Sequence, residues 1–194
     1  GVYKWGVGCV YGGNRGELVE SPITWATVEN NTRAEAITYD FEDGTMGDWT
    51  TIDADGDGIN WISSTDLSLA GYGHNGSQNF VLSQSYSNSY GALHPDNYLV
   101  SPQIQLGGSI TFYASAQDEN WSAEHFAVAV STTGNTNASD FTTVQEWTLT
   151  SKGTRHDGER GLRQGSWHEY TVDLSAYSGL GYVALRHFNT TDMF

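Results

Sequence analysis

One cysteine, Cys9, stands in the whole 194-residue chain, so no internal disulfide can staple it. Stability must come from a core, and this length suffices for one domain with a substantial one. Basic residues are scarce as well: 8 Lys and Arg against 23 Asp and Glu leave a formal net charge of −15. A field of that sign repels phosphate backbones, which argues against a nucleic-acid partner. No apolar run approaches the roughly 18 residues of a membrane-spanning helix. Neither a starting methionine nor a signal-type leader opens the chain, and we expect it to be a piece of a longer polypeptide. Catalytic signatures are missing too. There is no HExxH, GxSxG, phosphate-binding glycine loop or dinucleotide fingerprint.

What is present is glycine (23), aromatic side chains (7 Trp, 11 Tyr, 7 Phe) and period-two alternation. Helical periodicity is almost absent. Tyr3, Trp5, Val7 and Cys9 alternate with small or polar residues, the 12–16 segment reads as a turn, and Leu18 and Val19 lead a returning strand. A lone hairpin is marginal in water, so residues 1–25 are expected to be the last strands of a preceding β module. A cysteine nucleophile at Cys9 has no fold around it there. Residues 26–36 form a polar linker, and residues 37–194 the main domain. Strand-like runs are Ile37–Phe41, Asn79–Ser83, Tyr98–Ser101, Ser109–Ser115, His125–Ser131, Thr142–Leu149, Trp167–Asp173 and Tyr182–Phe188. Ala123–His125 and Leu174–Tyr177 allow single helical turns. About eight short strands separated by Gly, Asn, Asp and Ser predict an all-β, antiparallel sandwich or jelly roll.

The most specific chemical motif is Asp53-Ala54-Asp55-Gly56-Asp57-Gly58. Three carboxylates at alternate positions followed by glycine make the first half of a calcium loop. Calcium takes six to eight hard oxygens at about 2.3–2.6 Å, and glycine permits the reversal that turns the next carbonyl, Ile59, inward. The twelfth position is Ser64 rather than a bidentate acid, and no amphipathic helices flank the loop, so this is not an EF-hand. Residues 73–76 could supply further carbonyls. The alternative is a solvated acidic turn, in which three like charges repel without a counter-ion.

Other residues add up to no active site. The six histidines show no zinc spacing. Glu124-His125 is a conceivable dyad, but more simply a surface pair at a strand start. A jelly-roll glycosidase needs two acids across a groove, whereas the acids here crowd into loops. Lys152, Arg155, Arg160 and Arg163 gather half of all cations in one glycine-rich stretch. That is a docking loop for an anionic partner or a solvated loop. Trp61, Trp121 and Trp147 could stack on sugars if exposed, or else belong to the core.

From Ile37 onward the chain resembles the cleaved-adhesin domains of gingipain proteases and haemagglutinins from oral Bacteroidetes. The resemblance is carried by residues 39–44 (YDFEDG), 49–58 (WTTIDADGDG), 95–102 (PDNYLVSP), 116–118 (AQD), 124–128 (EHFAV) and 186–194 (RHFNTTDMF). It implies a calcium-stabilised jelly-roll sandwich at the bacterial surface or secreted, binding host proteins such as haemoglobin or haem proteins, matrix or the erythrocyte surface. It implies one calcium on Asp53, Asp55, Asp57 and the Ile59 carbonyl, closed by carbonyls at His74 and Gly76. A second ion falls near the first strand, at the Asp40 backbone and Glu42, with Asp118 a further candidate. The family's closing strand, with an acidic pair after the Asp-Met-Phe segment, and its later cysteines have no counterpart. The protease activity of gingipains belongs to another domain, so this module is expected not to be an enzyme. The rival readings are a carbohydrate-binding module of a secreted enzyme, which would bind glycans, and a hydrolase domain.

Overall fold

A computed structural model of the chain describes residues 36–69, 71–117, 120–150 and 166–188, together with the strand pairs 10–11, 14–15, 154–155 and 163–164. The chain divides into two compact units, Gly1–Thr38 and Tyr39–Phe194. In the first, β1 (Val10–Tyr11) pairs with β2 (Asn14–Arg15), Val10 opposite Arg15. The connection is therefore two residues long. Asn14 and Arg15, expected in the turn, belong to the returning strand. The remaining hairpin positions, Cys9 included, and the 26–35 segment lie outside the described residues.

The second unit holds β3 (Thr50–Asp53), β4 (Ile62–Ser63), β5 (Val81–Leu82), β6 (Tyr86–Ser87), β7 (Gly91–Ala92), β8 (Asp96–Val100) and β9 (Ile104–Leu106). These are followed by β10 (Ser109–Ala114), β11 (His125–Ser131), β12 (Thr142–Thr148), β13 (Thr154–Arg155), β14 (Arg163–Gln164), β15 (His168–Asp173) and β16 (Gly179–Phe188). Helix is limited, among the described residues, to three short 3-10 turns at Ser64–Leu67, His74–Gly76 and Ala138–Asp140. Leu174–Tyr177, allowed as a helical turn, is a reverse turn closed by Tyr177 N–H to the Leu174 carbonyl at 2.9 Å. Residues 123–125 make no helical turn either: His125 already opens β11.

The fold is an all-β antiparallel sandwich. Its main sheet runs β12-β11-β16-β8-β3, with β9 pairing the start of β16. The expected strand His125–Ser131 is β11, and it lies between β12 and β16. Phe126–Val130 is buried throughout because both faces are covered. On one side Val128 and Val130 meet Val172, Leu174 and Leu106; on the other, Ala184 packs with Tyr98 and Val100. β10 is half-buried on alternate residues, with Ile110 and Phe112 turned to this core. It pairs with β15 as a two-stranded second layer, and β4–β5 forms another fragment.

The expected first strand, Ile37–Phe41, is not a strand. Phe41 has φ 56°, which breaks extended geometry, and among the described residues no strand pairs with it. Tyr39 and Phe41 instead set their rings edge-on to Trp49, at 5.2 and 5.7 Å.

Candidate functional site

The acidic loop leaves the end of β3, whose register against β8 is fixed by Asp53 opposite Asn97. Ala54 N–H donates to the Asp96 carbonyl at 2.9 Å, so the loop starts from a paired edge. Asp53 organises the turn. One of its oxygens accepts from Gly56 N–H at 2.7 Å and the other from Gly58 N–H at 2.9 Å. Asp57 accepts from Ile59 N–H at 2.7 Å. Gly56 and Gly58 sit at φ 78° and 81°, where a side chain would be strained.

Asp53, Asp55 and Asp57 each offer an oxygen, and these atoms lie within 4.8 Å of one another. The crowding shows in their proton affinities. Asp55 is pushed up to about 6, by desolvation first, then by sharing a hydrogen bond with Asp53 and by the charges of Asp57 and Asp53. Asp53 is held below the usual range by that hydrogen bond and by the Gly58 and Gly56 amides. A set of hard anionic oxygens facing one point, with neutral backbone donors as its described partners, suits a hard divalent cation such as calcium. It is the one such carboxylate, histidine or cysteine group among the described residues.

The other expected metal residues have the following surroundings. Glu42 turns its carboxylate to the 77–78 segment, accepting from the Ser77 hydroxyl and from Gln78 N–H at 3.1 Å, and it is held below its ordinary range by these bonds. The Asp40 side chain accepts from Glu42 N–H at 3.1 Å. The carbonyls of His74 and Gly76 accept from Ser77 N–H and from the Gln78 side chain, both at 3.0 Å. The 73–79 turn is thus joined to Glu42, and no hydrogen bond among the described residues joins it to the Asp53 loop. His74 stacks its ring on Tyr113, centroids 3.8 Å apart. Asp118 lies outside the described residues.

The expected aromatic positions do not form one platform. Trp147 belongs to the core, stacked on Phe126 at 5.3 Å. Trp61 is half-buried, and its indole N–H donates to the Asn97 carbonyl at 3.1 Å. Trp121 is 54% exposed. Trp61 and Trp121 both line a cavity of about 980 Å³. In the basic stretch, Arg155 and Arg163 are opposite each other on β13 and β14, so a two-stranded ladder stands where a loop was expected. Arg160 lies outside the described residues.

Sequence reasoning missed a polar network bordering that cavity. His187 is 5% exposed. Its Nδ1 is 2.8 Å from the Ser83 hydroxyl and its Nε2 is 3.0 Å from Glu124. Ser85 donates to the other Glu124 oxygen. Asn97 donates weakly to Ser83 at 3.3 Å. The order serine–histidine–carboxylate matches the spacing of a hydrolytic triad, but Ser83 is shared with Asn97 and the set ties β16 to two distant segments. We read it as a clamp. Glu124 pairs with His187, and its neighbour His125 meets Thr148 at 2.9 Å. Nothing local could have revealed a partner 63 residues away.

Comparison with known proteins adds the following. The family model of the cleaved adhesin domain matches residues 35–194. Gingipain R1 of Porphyromonas gingivalis is 48% identical over 159 residues, covering 79% of this chain and 9% of that protein. Hemagglutinin A of the W83 strain is 44% identical over 167 residues, covering 84% of this chain and 8% of that protein. The chain therefore spans less than a tenth of these relatives. Among solved structures, the K3 cleaved adhesin domain of Lys-gingipain from P. gingivalis W83 superposes with a TM-score of 0.65 at 44% identity, covering 79% of this chain and 89% of that one. The K1 domain gives 0.64 at 43%, covering 79% and 88%.

Proposed function

The chain belongs to the cleaved adhesin domain family, and from that premise we propose that it is a calcium-stabilised, surface-exposed or secreted module that binds host proteins. The module is of the non-catalytic adhesin type, and the proteolysis named in its gingipain relatives is not carried over to it. The observation that carries the adhesive reading is the likeness to Hemagglutinin A across 84% of the chain. No helix among the described residues is long and apolar enough to cross a membrane.

Asp53, Asp55, Asp57 and the Ile59 carbonyl are the residues proposed to hold the ion. Calcium bound there would cancel the repulsion among the three carboxylates and fix the loop that leaves β3. Asp53 already shapes the turn through the Gly56 and Gly58 amides, and Asp55 is the residue whose charge most needs a counter-ion. A second ion at Asp40, Glu42 and Asp118 remains part of the proposal. The described bonds of Glu42 to Ser77 and Gln78 offer it a competing role.

The adhesive reading is tested by measuring retention of the purified chain on erythrocytes, haemoglobin and fibrinogen, in calcium and in chelator, beside a glycan array. Saturable binding to a host protein supports it. Binding confined to glycans supports the carbohydrate-module reading, and binding to none of these sinks both.

A further inference from the structure

The acidic loop is fastened to the main sheet at both of its ends. At the entry, Ala54 N–H donates to the Asp96 carbonyl at 2.9 Å. At the exit, the Trp61 indole N–H donates to the Asn97 carbonyl at 3.1 Å. The two acceptors are consecutive residues of β8, which lies between β3 and β16. Asn97 is 1% exposed, and the strand is buried from there to Val100. The frame that receives the indole is therefore paired on both sides and closely packed, and it does not follow a loop that moves.

Between these anchors the bonds are local. Gly56 and Gly58 N–H both donate to Asp53, Ile59 N–H donates to Asp57, and Trp61 backbone N–H donates to the Asn60 side chain at 2.8 Å. Residues 54–58 are exposed, whereas Ile59, Asn60 and Trp61 are half-buried. Among the described residues, the indole bond is the one side-chain hydrogen bond that ties this loop to any segment other than β3. Asp53 shapes the turn by itself, so the crowding of the three carboxylates does not need Trp61. The Ile59 carbonyl depends on the exit arm: it lies two residues before Trp61, and the Ile59 amide is bonded to Asp57, which belongs to the exposed part of the loop.

We infer that Trp61 is a positioning residue of the ion loop: its indole N–H, pinned to the Asn97 carbonyl, fixes the exit arm and with it the place at which the Ile59 carbonyl is offered beside Asp53, Asp55 and Asp57. The inference rests on the calcium reading of this loop and adds a residue that touches no ion. Groups that orient metal ligands without binding the metal are worth about 10–100-fold in affinity. The reason is entropic: an arm already held in place need not be ordered when the ion arrives. Trp61 thereby has a task that requires its N–H as well as its ring, which a residue serving only to fill apolar space would not.

The probe is calcium itself, titrated into the full chain by calorimetry at pH 7.5. Two replacements remove the N–H: Trp61→Phe, and 3-benzothienylalanine at position 61, which keeps the ring shape and puts sulfur in place of the N–H. Each should weaken calcium affinity about tenfold. Val172→Ala is the control, at a 1% exposed site of β15 in the second layer. It should lower the melting temperature and leave calcium affinity within about twofold. The spectroscopic readout is NMR of the chain labelled with 15N at its 7 indoles. The signal missing from Trp61→Phe belongs to Trp61. In the wild type it should shift saturably with the calorimetric midpoint, and in Asp55→Asn it should stay still. Wild-type affinity in the benzothienyl protein overturns the inference, since the ring alone then suffices. So does a Trp61 signal that ignores calcium while calorimetry records binding, or a loss of affinity in Val172→Ala equal to that of the Trp61 replacements, which marks a general effect of stability. Any of these results leaves the calcium reading standing, because the wild type still binds. No binding by the wild type sinks the calcium reading and the role of Trp61 together.

Discussion

Asp55 is the position where the calcium proposal is most exposed to refutation. Its folded value of about 6 against an ordinary 3.8 means that the native state holds the proton more tightly than the unfolded chain. Stability from this group is therefore full below about pH 4 and lost as pH rises towards 6. The rise converts to about 3 kcal/mol before screening, and to about 1 kcal/mol once water screens so exposed a loop. Asp55→Asn removes that cost without touching the bonds from Gly56 and Gly58 to Asp53. In chelator at pH 7.5 the variant should melt as high as wild type or a few degrees higher. Calcium at 100 times its Kd stabilises the wild type by about 2.7 kcal/mol. For a domain of this size that raises Tm by about 5–11 °C. The variant should show no such gain. Asp53→Ala behaves differently: it should fall in chelator as well, because two amides lose their acceptor. The assay is scanning calorimetry after unfolding and refolding in chelator, so that a tightly held ion is removed. Identical wild-type melting with and without calcium, or a calcium response retained by Asp55→Asn, refutes the reasoning.

The other expectations follow the same logic. Calcium affinity measured by titration calorimetry should fall as pH drops below about 6, since Asp55 must lose its proton to bind; a flat profile between pH 5 and 7.5 counts against the assignment. Arg186 bonds both Asp96 oxygens, at 2.6 and 2.9 Å, and covers the Phe188 ring at 4.1 Å. Arg186→Ala should cost about 1–3 kcal/mol in urea unfolding, and Arg186→Lys should recover less than half, lacking the planar fork. Leu99→Ala, at a fully buried site in β8, should cost about 2–5 kcal/mol. His187→Phe should destabilise by about 1–3 kcal/mol, because Ser83 and Glu124 lose their shared partner; a double-mutant cycle with Ser83→Ala should show coupling between the two.

The sequence by itself determined the features that arise from neighbours in the chain. Period-two alternation marked β10, β11, β12 and β15 within a residue or two of their observed ends, because strand pleating acts on adjacent side chains. The Asp53–Gly58 spacing announced a cluster of carboxylates for the same reason: alternate residues on a tight turn converge without help from elsewhere. Only the tertiary structure decided the rest. Ile37–Phe41 has a strand-like sequence, yet two of its rings meet the Trp49 indole and, among the described residues, no strand edge pairs with it. Trp147 went to the core, while Trp61 and Trp121 went to the cavity. Glu124 met His187, and β5 and β10 came to border one cavity. Each of these outcomes depends on segments tens of residues apart being brought together by the sheet. Local pattern carries no record of which distant edge or ring a residue will meet, so that part of the protein becomes legible only once the chain has folded.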